Sequence, residues 1–184
     1  MPIPDFDHNN VLPPHLGSPT NPQTISPYKA SIMELCTKFA TSPERIEILK
    51  GFVKFRLDAI RAGINNGFQW IDGSFSENIE VSENRNPNDI DVVSFVANVT
   101  PQTMSNITTN FQAFINPVIS KSKYKVDHYT VEFDRNPITT INATKYWIQL
   151  FSHNRNNVWK GMIEIPLYSN LQLDNDALTF LNSI

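Results

Sequence analysis

The chain is poor in the residues that many function classes need. It has one cysteine in 184 residues, Cys36. That excludes a disulfide within the chain and fits a reducing compartment. The apolar neighbours Ile32, Met33, Leu35 and Phe39 predict a buried, inert thiol. With neither a cysteine nor a histidine cluster, no zinc centre is expected. No apolar run approaches the roughly 20 residues of a membrane span. Basic residues are not in excess: 15 Lys and Arg stand against 18 Asp and Glu, a net charge of -3. Nothing in that balance draws the whole molecule to nucleic acid or to an anionic membrane. The first residues, Met1-Pro2-Ile3-Pro4-Asp5, carry neither a basic stretch nor an apolar core, so no secretory signal is expected and the location reads as cytoplasmic. Internal repeats are absent.

What is present reads as a single domain of ordinary composition, 40% hydrophobic and 18% charged. Residues 1–28 hold seven of the thirteen prolines and show no apolar period; they predict an extended arm, draped over the domain or used in self-association. The domain proper is expected over 29–184. Lys29 to Ala40 is a short helix candidate. Ser42 as N-cap, Pro43 at the first helical position and Glu44 in the first turn open a second helix. Its apolar stripe is Ile46, Leu49, Val53, Leu57, Ile60 and Ile64. Strands are predicted over 68–72, 89–97, 125–133 and 158–167. Helices are predicted from Pro101 to about Ile115, with Pro117 disturbing its end, over 142–151, and as a terminal turn over 174–181. Alternating helices and strands predict an α/β (α+β) domain with helices packed on a sheet.

The most informative feature is Gly73-Ser74 followed by Asp89-Ile90-Asp91. Side chains two apart on a strand share a face, so Asp89 and Asp91 stand side by side and repel unless a cation lies between them. Mg²⁺ takes one or two carboxylates together with substrate phosphates. The Gly-Ser turn offers backbone N–H groups and a hydroxyl for those phosphates. The bland alternative is a turn, with Asn86-Pro87-Asn88 and an Asx cap opening an ordinary strand.

The stretch Trp70-Ile71-Asp72-Gly73-Ser74-Phe75 through Pro87-Asn88-Asp89-Ile90-Asp91-Val92-Val93 resembles the nucleotidyltransferase superfamily with the polymerase-beta-like fold. It is most similar to small stand-alone bacterial members, many of them uncharacterised. Tyr146 to Phe151 and Lys160 to Ile165 look like the same branch, and the resemblance covers roughly residues 45–165. It implies a minimal nucleotidyltransferase fold: a mixed sheet flanked by helices. It also implies a two-metal Mg²⁺ site on Asp89, Asp91 and a third carboxylate matched by Asp127. Gly73 and Ser74 match the turn that binds the triphosphate. Members of the superfamily transfer a nucleoside monophosphate from an NTP to a hydroxyl.

Two departures stand out. The interval from Ser74 to Asp89 is fifteen residues, long for compact members, and its Glu77, Glu80 and Glu83 read as solvating a longer loop rather than weakening triphosphate binding. A helical domain that would grip the acceptor is missing, so the acceptor, a protein, an RNA end or a small molecule, is left open, and a partner protein or a second copy is one way to supply it. Lys160 and Arg155 are expected to contact phosphates if the 152–160 turn folds over the site. Lys121, Lys123 and Lys125 read as an exposed face, Asp72 as a cap of the Gly-Ser turn, and His128 and Glu132 as packed or solvated. Three functions follow: a Mg²⁺-dependent nucleotidyltransferase, the nucleotidyltransferase half of a toxin–antitoxin or phage-defence pair, or a degenerate nucleotide-binding or assembly module.

Overall fold

The computed structural model describes residues 3–168 and 170–184. Ser31 caps helix α1 (Ile32–Phe39) in a reciprocal arrangement: its hydroxyl accepts from the Glu34 N–H, and the Glu34 carboxylate accepts from the Ser31 N–H. Ser42 does the same service for helix α2 (Pro43–Ala62), accepting from the Arg45 N–H, with Pro43 at the first turn. Gly63 ends α2 at φ 101°, a left-handed conformation that costs glycine little. The predicted stripe is buried from Leu49 onward, with Ile46 half-buried at its start, and the burial goes further round. Ile48, Phe52, Val53 and Phe55 are fully buried, and so are Arg45 and Arg56. Each large apolar side chain buried here stabilises by about 1.5–3 kcal/mol.

Five strands form one mixed sheet, in the order β1 (Tyr28–Lys29), β5 (Ile163–Pro166), β2 (Gly67–Asp72), β3 (Ile90–Val96), β4 (Val126–Glu132). β2 runs antiparallel to both β3 and β5, while β4 is parallel to β3. The parallel pair requires a crossover, supplied by α4 (Pro101–Asn110) and α5 (Pro117–Tyr124). Here the sequence expectation is corrected. Pro117 does not disturb a helix end; it opens α5, capped by the Asn116 side chain, because proline at the first helical position loses no hydrogen bond. The loop after Ser74 also holds a helical turn, α3 (Ile79–Ser82), and the terminal turn is a full helix, α7 (Leu171–Asn182). Helix α6 spans Pro137–Phe151, five residues longer at its start than the pattern predicted.

Strand alternation sorts the core into two layers. Ile71, Ile90, Val92, Val126 and Ile163 face the large cluster under α1, α2 and α7. Trp70, Val93, Phe95 and Val131 face a small cluster with Trp147 and Phe151 of α6. The fold is therefore α/β, a mixed sheet flanked by helices, with α6 lying over part of one face. The proline-rich arm lies against the domain: Val11 and Leu12 are buried, Val11 bridges to Glu77, and the Gly161 N–H donates to the Leu12 carbonyl at 2.7 Å. No helix among the described residues is long and apolar enough to cross a membrane.

Candidate functional site

Register brings three aspartates into one row. Asp72 pairs with Asp91 across β2 and β3, and Asp91 pairs with Asp127 across β3 and β4. All three lie on the α6 side of the sheet, with Asp89 just ahead of β3. Asp89 and Asp91, singled out by their spacing, and Asp127, implied by the resemblance, therefore lie with Asp72 along one edge of neighbouring strands. They line a cavity of about 610 Å³ that also contains Gly73, Ser74, Arg85, Lys121, Arg155 and Lys160. Its lining has six acidic side chains (Asp72, Glu77, Glu83, Asp89, Asp91, Asp127) against four lysines and arginines, with His153 beside them.

The Gly-Ser turn is clamped by two buried cations. Lys160 is 2% exposed, and its ammonium reaches the Glu77 carboxylate at 2.7 Å, the Gly73 carbonyl at 3.0 Å and Asp72 at 3.1 Å. An ammonium has three donors, and these three oxygens match them. Lys160 is thus placed at the site, but it holds the turn rather than presenting a free donor to a phosphate. Burial pulls its pKa down, yet Asp72 and Glu77 outweigh burial and lift it above the ordinary lysine value. Arg45 donates to the Phe75 carbonyl at 2.7 Å, to the Glu77 carbonyl at 2.6 Å and to both oxygens of Glu80. The expectation that Glu77 and Glu80 merely solvate a loop is overturned: each is the partner of a buried cation, and Glu77 is itself 7% exposed. Arg155 lines the cavity from the 152–157 turn, exposed, as does Arg85.

Gly73 is required twice over. It adopts φ 79°, and a Cβ there would land on the Asp91 carboxylate. Asp91 accordingly sits against bare backbone. Among the described residues no protein hydrogen bond reaches its carboxyl group. Burial, and then the charges of Asp89 and Asp127, push its pKa up to about 6, against the pull of Lys160 and Lys121. Burial also pushes Asp72 up to about 7, opposed chiefly by Lys160. Asp72 accepts from the Ser76 hydroxyl at 3.1 Å and so braces the turn, as its position before Gly73 suggested.

Lys121 corrects a further expectation. It is not part of an idle lysine face. From α5 its ammonium contacts Asp89 at 2.7 Å and Asp127 at 3.2 Å. Hydrogen bonds to Asp89, and then to Asp127, outweigh partial burial and raise its pKa above the ordinary value. Lys121 therefore stands between two of the three inferred ligands, where a cation belongs. No three Asp, Glu, His or Cys side chains among the described residues are gathered tightly enough to enclose an ion. The donor chemistry nevertheless suits one. Asp91 is an oxygen donor with no hydrogen-bond partner among the described residues, flanked by two carboxylates, and carboxylate oxygens suit hard cations such as Mg²⁺, Ca²⁺ or Mn²⁺. Lys121 is 53% exposed, so exchanging its ion pairs for another cation costs only about 0.2–1 kcal/mol per pair.

His128 belongs to the other face. It is wedged between Phe55 and Phe114, with ring centroids 4.6 and 4.7 Å away, and its Nε2 lies 2.8 Å from the Ser94 hydroxyl. Burial pulls its pKa down to about 3, so it is neutral packing. Sequence reading missed Arg45, Glu77 and the placing of Lys121. Only Arg45 left a signal, a charge on the buried face of an apolar helix. No curated protein and no solved structure matches the chain. The model of the Family of unknown function (DUF6932) matches residues 4–166, so the chain belongs to that family.

Proposed function

We propose that this chain is a Mg²⁺-dependent nucleotidyltransferase that moves a nucleoside monophosphate from an NTP to a hydroxyl acceptor. The observation that carries the reading is the aspartate row Asp72–Asp91–Asp127 with the Gly73 backbone packed directly against Asp91. A triphosphate laid on the Gly73-Ser74 turn would meet backbone N–H groups and the Ser74 hydroxyl at the edge of that row. Asp89, Asp91 and Asp127 are the residues that would hold Mg²⁺, which when bound neutralises phosphate charge and polarises the reacting oxygens. The protein's own contribution is positioning. Lys160 and Arg45 fix the turn, and the exposed Arg155, with Arg85 beside it in an ion pair with Glu83, supplies positive charge for the outer phosphates. Asp72 is not needed as a ligand, since Lys160 and Ser76 engage it.

A second reading, a nucleotide-binding or assembly module without catalysis, is favoured by one observation: Lys121 already bridges Asp89 and Asp127. The two readings separate in a transfer assay with α-labelled NTPs, Mg²⁺ and a panel of hydroxyl acceptors. The enzyme reading expects transfer that vanishes in Asp89→Ala and Asp91→Ala. Transfer that persists in both variants would sink it. Metal-dependent binding of the triphosphate without transfer to any acceptor would favour the module.

A further inference from the structure

The carboxylate row separates two lobes of opposite chemistry. The lobe described above holds the Gly-Ser turn and the arginines. A second lobe, about 260 Å³, shares Asp91, Asp127, Leu150 and Phe151 with it and is otherwise lined by Tyr129, Tyr146 and Trp147. The rings form a cluster, with Trp147 5.1 Å from Tyr129 and 5.0 Å from Tyr146 between centroids. Trp147 is anchored in the core, but Tyr129, Tyr146 and Leu150 are 44%, 59% and 50% exposed. An open aromatic wall beside half-buried carboxylates marks a place where something apolar binds.

We propose that this lobe receives the acceptor, and that the acceptor is a phenol: an uncharged ring carrying its own hydroxyl. The proposal rests on the nucleotidyltransferase reading. In phosphoryl-type transfer the attacking and leaving oxygens lie roughly in line, on opposite sides of phosphorus. With the pyrophosphate over Gly73-Ser74, the attacking oxygen arrives from the aromatic side. A ring there stacks against Tyr129, Tyr146 and Trp147 while its oxygen points to the row. The lobe has no lysine or arginine, and its charges, Asp91 and Asp127, are negative. It therefore offers the phosphates of an RNA end no cation of its own, and an aliphatic hydroxyl gains nothing from the rings. In the transfer the phenolic oxygen bonds to the α-phosphorus, the bond from α-phosphorus to the bridging oxygen of the β-phosphate breaks, and pyrophosphate leaves. The phenolic proton passes to water at the open side of the lobe. The product is an aryl ester of the nucleoside monophosphate.

The test uses the full chain, Mg²⁺ and each α-labelled NTP, with N-acetyltyrosinamide, a tyrosine-containing apolar peptide, N-acetylserinamide, adenosine and a short RNA as acceptors. Label is expected on the phenols, and the two tyrosine arms separate a free phenol from a polypeptide. Tyr146→Ala is expected to lower kcat/KM for the phenol about tenfold while shifting the calorimetric Kd of Mg²⁺-ATP less than about twofold. Label preferentially on serine, adenosine or RNA overturns the assignment, as does label on the chain's own Tyr129 or Tyr146, or an equal loss of both readouts. A chain that labels serine, adenosine or RNA but not the phenols overturns the lobe assignment alone, whereas one that binds Mg²⁺-triphosphate but labels no acceptor overturns it and favours the non-catalytic module. A chain that binds no triphosphate overturns the nucleotidyltransferase reading with it.

Discussion

Replacing Asp91 by asparagine should make the metal-free protein more stable at neutral pH. Asp91 is mostly buried, has no protein hydrogen bond among the described residues, and faces Asp89 and Asp127. Its carboxyl pKa of about 6 lies above the 3.8 of the unfolded chain. A group with a raised folded pKa holds its proton more tightly when folded. Its contribution is therefore most favourable at low pH and is lost as pH rises from about 4 to about 6. Above that window the ionised carboxylate costs on the order of 3 kcal/mol, at about 1.4 kcal/mol per pH unit. Asparagine has a similar shape and carries no charge. In urea unfolding without divalent ions, the variant and the wild type should match near pH 4. The gap should open in the variant's favour through pH 6 and then stay level. In thermal melts a gap of that size is about 6–12 °C for a chain of this length. Added Mg²⁺ should narrow it, since only the wild type has the carboxylate to bind the ion. A gap that is constant from pH 4 to 7, or a variant less stable at pH 7.5, would refute the reasoning.

Three further outcomes follow from the same geometry. Lys160→Met should destabilise by about 3–5 kcal/mol in urea unfolding, because it strands the buried Asp72 and Glu77 carboxylates; a loss below about 1 kcal/mol contradicts the clamp. Lys121→Ala should tighten Mn²⁺ binding, followed by electron paramagnetic resonance, about fivefold, because the competing ammonium is gone and its exposed ion pairs were weak; weaker binding would show that Lys121 supports the metal rather than competing with it. Gly73→Ala should destabilise by at least about 1–3 kcal/mol and lower triphosphate affinity, since a Cβ meets the Asp91 carboxylate at a positive φ; a calorimetric Kd and an unfolding midpoint equal to wild type would remove Gly73 from the site.

The sequence showed most clearly what obeys a short period. Ser42-Pro43, the apolar stripe to Ile60, the strand ending at Asp72 and the strand following Asp89 all announce themselves within a few residues, because capping and strand alternation are local. Asp127 came from the resemblance and not from a local period; the parallel pairing of β3 with β4 is what sets it beside Asp91. Pro117 was misread because proline ends one helix and begins the next with the same ring, and only the Asn116 cap tells which. The clamps were not legible. Arg45 meets Phe75 and Glu80 across 30 and 35 residues, and Lys160 meets Gly73 across 87. No local rule pairs charges at such separations, so Glu77 and Glu80 looked like solvent-facing acids. Lys121 was counted as one lysine of an exposed face, although one turn of α5 aims it at Asp89 and Asp127.

The central claim is that the aspartate row and the Gly73-Ser74 turn form one metal-and-triphosphate site. Titration calorimetry with a non-hydrolysable triphosphate, with and without Mg²⁺, tests it most directly on the wild type, Asp91→Asn and Asp127→Asn. Binding by the wild type is expected to require Mg²⁺ and to be lost in both variants while their folds persist. Binding that ignores Mg²⁺, or that survives both substitutions, would contradict it.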